Sequence, residues 1–118
     1  MLDTKALLTK IVNVFVGGTD NGWNYKKYPD GTYEAWKGIP LNIARSTAYG
    51  ALYRCLEQTV QLPSFNSGTD YTIVGSSNGG DFVVFNTMSA TSVGFFFVRT
   101  STATAQDRVA RLYLHGKY

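Results

Sequence analysis

The chain has 118 residues, 44% hydrophobic and 14% aromatic, which suits one folded domain and excludes a disordered tail. Its net charge is +3 and its basic residues are scattered, Lys26-Lys27 being the only adjacent pair; that is a weak electrostatic footprint for nucleic acid. Twelve glycines beside only 16% charged residues point to many turns and an all-β chain rather than a helical bundle.

Residues 3 to 16, "DTKALLTKIVNVFV", read as a short helix that Asp3 can cap. Leu7, Ile11 and Val14 form one apolar stripe, and Leu8, Ile11 and Phe15 another, both with the spacing of a coiled-coil seam. Two heptads are too short to stand alone, so the stripe must pack on its own domain or on copies of itself. The β-branched end of the segment is compatible with a strand start instead. "GGTDNG", residues 17 to 22, reads as a flexible break.

From there the helical period stops. Trp23 to Tyr28 and Thr32 to Ile39 flank Pro29-Asp30-Gly31, with Pro and Gly where a type I turn favours them. This predicts a β-hairpin held by Trp23, Tyr25, Tyr33 and Trp36 as cross-strand aromatics. Residues 40 to 50 carry no clear pattern. Leu52 to Leu62 alternates loosely as a strand ending at Pro63; "FNSGTD", 65 to 70, is a loop; Tyr71 to Gly75 is a strand. "SSNGGD", 76 to 81, carries an Asn-Gly hairpin signal leading into "FVVFNT".

"SVGFFFVRT", 92 to 100, is an aromatic strand apolar on both faces, which demands a second covering layer from this chain or another subunit. "STATAQD", 101 to 107, reads as a polar loop. In the last strand Ala110, Leu112 and Leu114 point one way, and Val109, Arg111, Tyr113 and His115 the other. About seven or eight strands at this turn density define an antiparallel β-sandwich.

Chemical motifs are sparse. Cys55 is alone, so no internal disulfide or zinc site can form from cysteines; between apolar neighbours it reads as a buried small side chain. His115 is the only histidine and no Gly-x-Ser-x-Gly elbow surrounds any serine, so a Ser-His-Asp site has little to stand on. Glu34 and Asp81 are one of several carboxylate pairs, and nothing selects one. "GSSNGG" lacks the Lys-Ser/Thr of a phosphate loop. "WNYKKY" offers bases a stack and phosphates two lysines, as an OB-like single-stranded nucleic-acid module would. No catalytic residue, metal ligand or cofactor is expected, and no apolar run is long enough for a signal peptide or for membrane insertion.

The stretch "NGWNYKKYPDGTYEAWKG", residues 21 to 38, resembles a pattern in the C-terminal, receptor-binding heads of bacteriophage tail fibre and tail-spike-like proteins. There a Trp-x-Tyr-basic-Lys strand turns through Asp/Ser-Gly into a Glu-x-Trp-x-Gly strand; here the matching residues are Trp23, Tyr25, Lys26, Lys27, Asp30, Gly31, Glu34, Trp36 and Gly38. "LYLHGKY" looks like the closing strand of such heads. Tyr33 and Lys37 depart from the pattern, and residues 40 to 105 carry no matching motif. The resemblance implies a helical stem over 1–16 and a β-sandwich head over 17–118. It also implies a homotrimer on an upstream fibre shaft, at the tip of a virion tail. Such heads bind a bacterial surface polysaccharide or protein without catalysis, nucleic acid or cofactor. Polar loops would carry the ligand, with Asn66, Asp70, Tyr71, Asn78, Asp81 and Asp107 as candidates. A virion connector or baseplate part of similar build is the alternative, followed by the OB-like module.

Overall fold

The computed structural model describes residues 17–118. The expected helical stem over 1–16 lies outside the described residues. Ten strands follow in order: β1 (Gly17–Asp20), β2 (Trp23–Lys27), β3 (Thr32–Arg45), β4 (Thr47–Tyr49), β5 (Leu52–Arg54), β6 (Gln58–Gln61), β7 (Thr72–Ser77), β8 (Phe82–Met88), β9 (Ser92–Arg99) and β10 (Ala103–Lys117). No helix occurs among the described residues.

The first sheet has the order β1-β2-β3-β10-β7, with every pairing antiparallel. Its spine is the long β3–β10 ribbon, paired from Thr32↔Lys117 to Arg45↔Ala103 with one irregularity between Ala103 and Gln106. The second sheet is built on β9. β8 lies on one flank; β5 and β6 follow one another along the other, and β4 pairs β5. Trp23, Tyr33, Ala35, Ile73, Ala110, Leu112 and Leu114 of the first sheet share one buried core with Val60, Val93, Phe95 and Phe97 of the second. This is the expected all-β sandwich.

Several local readings change. "GGTDNG" is not a flexible break: Gly17–Asp20 pairs with Asp20↔Trp23 closing the hairpin, and Asn21 and Gly22 both adopt positive φ, 49° and 82°. That is the two-residue turn whose twist suits a hairpin, and Asn-Gly is its preferred sequence. Residues 40 to 45 continue β3. Pro40 is tolerated because β2 stops opposite Trp36, leaving that flank of β3 open. On the other flank Val109, the partner of Pro40, turns its N–H and C=O to Asn78 instead, so no donor is missed at Pro40.

The segment Leu52–Leu62 is broken. Gln58 is five positions beyond Tyr53, while their partners Arg99 and Phe95 are four positions apart. The slip falls at Cys55, whose backbone N–H donates to Phe97 O (3.1 Å) and whose sulfur accepts from the Phe97 N–H (3.2 Å). Burial pushes this thiol up. Finally, residues 103 to 107 belong to β10 rather than a polar loop.

The doubly apolar β9 is covered by its own chain. Phe95 and Phe97 face the first sheet beside Val83 and Phe85 of β8. On the other side, Phe96 lies under the edge of Tyr49, 5.3 Å between centroids, and under Arg54 at 4.8 Å. Asn86 donates to Glu57 (2.8 Å), and the pair straps the space above Gly94, where any side chain would meet Thr87 and Glu57.

Candidate functional site

Each loop candidate is tied into the fold. Asn66 accepts from Tyr33 Oη (2.6 Å) and donates to the carbonyls of Gly68 and Ala90 (3.0 Å each), which exhausts most of its amide. Tyr71 is buried and donates to Ser89 O (2.6 Å). Asn78 receives the Val109 N–H (2.8 Å), continuing the ladder at the edge of β10. Asp70 pairs with Lys117 at 2.7 Å; that contact holds its carboxyl below the usual range. Asp107 lies on a strand and accepts from Asn42 (2.7 Å). These six residues are spread over the sandwich and do not converge on one cavity.

Asp81 is the most deeply committed. Its side chain is fully enclosed, with Arg45 Nε at 3.1 Å, Arg108 Nε at 3.4 Å and Arg99 Nε at 3.8 Å. Arg45 is itself fully buried. Gln106 Oε1 accepts from Arg45 (2.7 Å) and Arg108 (3.0 Å). The cluster joins β3, β9 and β10 to the start of β8. Such a buried charge needs all its partners, so Asp81 is a structural clamp. It is also remote in role from Glu34, which stands on the outer face, so the two are no carboxylate pair.

The surface the fold leaves available is the outer face of the first sheet. Strand alternation and the registers set it out in rows. Glu34 stands beside His115 and Thr72; Trp36 beside Tyr113 and Val74; Gly38 beside Arg111 and Ser76; Pro40 beside Val109. Trp36 is 39% exposed, Tyr113 41% and Val74 54%. A shallow trough of about 570 Å³ runs here, lined by Trp36, Gly38, Val74, Ser76, Arg111 and Tyr113, within the size range of ligand sites.

The rings are held. Tyr113 Oη donates to Glu34 Oε2 (2.5 Å) and Tyr28 Oη to Oε1 (2.7 Å). These bonds, Tyr113 first, keep the Glu34 carboxyl below its ordinary range and push the Tyr113 phenol up to about 12. An exposed aromatic pair beside a guanidinium is chemistry for stacking and hydrogen bonding. Among the described residues no three His, Cys, Asp or Glu side chains gather in a way that could hold a metal ion.

Trp36 therefore departs from the hairpin reading. Trp23, Tyr25 and Tyr33 turn inward, Tyr25 and Tyr33 meeting Phe65 edge-on at 4.8 and 4.9 Å, while Trp36 turns outward. The signal was available in parity: Trp36 is an odd number of residues from Tyr33, so the two cannot share a face of β3. Arg111 and Tyr113 already fell on the outer face of the last strand; what was missing was the partner strand that completes the trough.

An antiparallel β-sandwich with an exposed aromatic sheet face is the class these features define. No family model and no curated protein matches the chain. Among solved structures, it is similar to an N-truncated R1-type pyocin tail fibre, with a TM-score of 0.60 over 98% of both chains at 16% identity. At that identity the likeness is one of fold.

Proposed function

We propose that this chain is a receptor-recognition element of a phage tail or phage-tail-like fibre, at the tip of the tail, and carries out no reaction. It works as a homotrimer on an upstream fibre shaft and takes a bacterial surface polysaccharide or protein as partner, without cofactor, nucleic acid or membrane insertion. The observation that carries the reading is the fold likeness over nearly the whole of both chains. The open aromatic face supports it. Loops whose polar groups are satisfied internally leave this face as the better contact surface, in place of the loop residues expected from the sequence. Three weak sites on one trimer would bind a cell surface through avidity.

The test is direct. The purified chain is applied to a panel of bacteria before and after removal of surface polysaccharide, and its mass is read by light scattering. Binding to some strains, lost with the polysaccharide, and a mass near three times 13.0 kDa are expected. Binding to no strain overturns recognition; a monomer overturns the trimer.

A connector role without receptor binding is favoured by one observation. Among the described residues β8 pairs only β9 and exposes Phe82 (66%) and Met88 (47%), an apolar edge suited to a protein neighbour. A trimer that binds no cell decides for it.

A further inference from the structure

Gly38 occupies the middle of β3 with no evident need to be glycine. Its φ is not in the left-handed region, and a Cβ there would meet only Val109 Cγ1 at 3.6 Å, an ordinary contact. The pairing of β3 with β10 is regular on both sides of it, so it marks no bulge. The other glycines inside long strands are explained by crowding. A Cβ on Gly75 would strike Leu112 at 2.9 Å, one on Gly94 would strike Thr87 at 2.2 Å, and one on Gly116 would reach the Tyr33 ring at 3.0 Å. A strand glycine is destabilising, and one without a packing reason marks close approach by a ligand or another backbone. Gly38 opens the floor of the trough.

Arg111 stands directly across from it, exposed, with Ser76 on its other side. Among the described residues it has no ion pair and no side-chain hydrogen bond. Lys37, the other cation beside the trough, is occupied by Asn21 O at 2.9 Å. The carboxylates of the face are distant and engaged: Glu34 and Asp107 each lie two rows from Arg111, about 13 Å along the strands at roughly 3.3 Å per residue. They are bonded to Tyr113 and Tyr28, and to Asn42.

Resting on the receptor-recognition reading, we infer that the trough binds a sugar ring bearing a carboxylate, as in a hexuronic acid. The ring lies against Trp36 and Tyr113, whose broad apolar faces match the C–H face of a pyranose. Its carboxylate takes the bidentate donors of Arg111, and the ring edge passes over Gly38. One free guanidinium balances one carboxylate, whereas a phosphate group brings close to two charges at neutral pH. The lone charge at the centre also sets this trough apart from an apolar contact between two copies of the chain.

The two tryptophans supply the readout. Trp23 Nε1 is bonded to Gln61 O at 2.7 Å inside the core and serves as the internal reference. In the full chain, titration with D-glucuronate is expected to move the Trp36 indole signal saturably and leave Trp23 still. D-glucose is expected to bind about tenfold more weakly, the worth of a charge-assisted bond. Arg111→Gln should erase that difference. Gly38→Val suits a strand and its Cβ makes only an ordinary contact with Val109, so it should keep the thermal midpoint and the mass while abolishing the titration. Equal response to glucose and glucuronate, a stronger response to inorganic phosphate, or undiminished binding by Gly38→Val overturns the inference. So does a change in mass on Gly38→Val, which makes the trough a contact between copies. Cell binding separates the two readings: if Gly38→Val still binds every strain the parent binds, recognition stands and this site falls; if the parent binds none, recognition itself falls.

Discussion

Trp23 and Trp36 sit on the two strands of one hairpin, and the fold uses them in opposite ways. Trp23 is 0% exposed and its indole N–H is bonded to a carbonyl of β6, in the opposing sheet. Trp36 is 39% exposed beside Tyr113, on a face that no other described strand packs over. The residue type is the same and the local structure is the same; only the side of the pleat differs. A burial of that size holds two sheets together, whereas an outward ring of the same size is an apolar surface held in water. The difference separates residues that make the sandwich from residues that are free to meet a partner.

The largest effect that tests this separation is Trp23→Ala. It should lower stability by about 3–5 kcal/mol, as for other buried tryptophans, read as a drop in urea midpoint with binding lost only through unfolding. Asp81→Asn comes next, at about 3 kcal/mol, because it leaves the buried Arg45 without its carboxylate. If Asp81→Asn keeps its midpoint and loses only ligand or cell binding, the clamp reading is wrong and Asp81 returns as a binding residue.

The inward side of this comparison was largely legible in the sequence. Alternation set the faces of β10 and the burial of Phe95 and Phe97. The Pro29-Asp30-Gly31 turn forms as its residues dictate, Gly31 taking a φ of 87° and its N–H donating to Tyr28 O. Asn-Gly occurs twice and was assigned to the wrong place. At 21–22 both residues take positive φ and close a hairpin. At 78–79 neither does, and the segment carries the chain from β7 in one sheet to β8 in the other. The dipeptide permits the tight turn; whether the flanking strands are partners is a tertiary fact. The binding face was hidden for a related reason. Its residues come from β3, β7 and β10, which are neighbours only in space, and Asn, Asp and Gly in loops look alike whether they meet a ligand or hold a turn.

Trp36→Ala is the middle prediction and the sharpest contrast with Trp23→Ala. Its stability cost should stay near 1 kcal/mol, the scale of an exposed cross-strand pair, with mass and folded spectra unchanged. Cell binding, or saccharide binding measured on the isolated chain, should fall about tenfold or more, as for an aromatic anchor at a recognition surface. A variant that unfolds or dissociates instead would place Trp36 with Trp23, as part of the scaffold.

The smallest expected effect concerns the carboxylate that holds the outer rings. Hydrogen bonds from Tyr113 and then Tyr28 depress the Glu34 pKa below its ordinary 4.5, so its contribution is full above that value and is lost as pH falls through the lower, folded one. Tyr113 moves the other way, from 10.0 to about 12. Its contribution is full below 10 and is lost as pH rises through about 12. The Glu34–Tyr113 contact should therefore stabilise over a plateau between the two ordinary values and fade on both sides. Both groups are near the surface, so the amplitude is small and screened by salt. The difference in urea midpoint between the parent chain and Glu34→Gln isolates it: small and flat across neutral pH, and shrinking toward acid and toward strong base. A difference that grows toward acid would mean that Glu34 is strained in the fold rather than held by it. The position of the Tyr113 hydroxyl beside Glu34 would then need another cause.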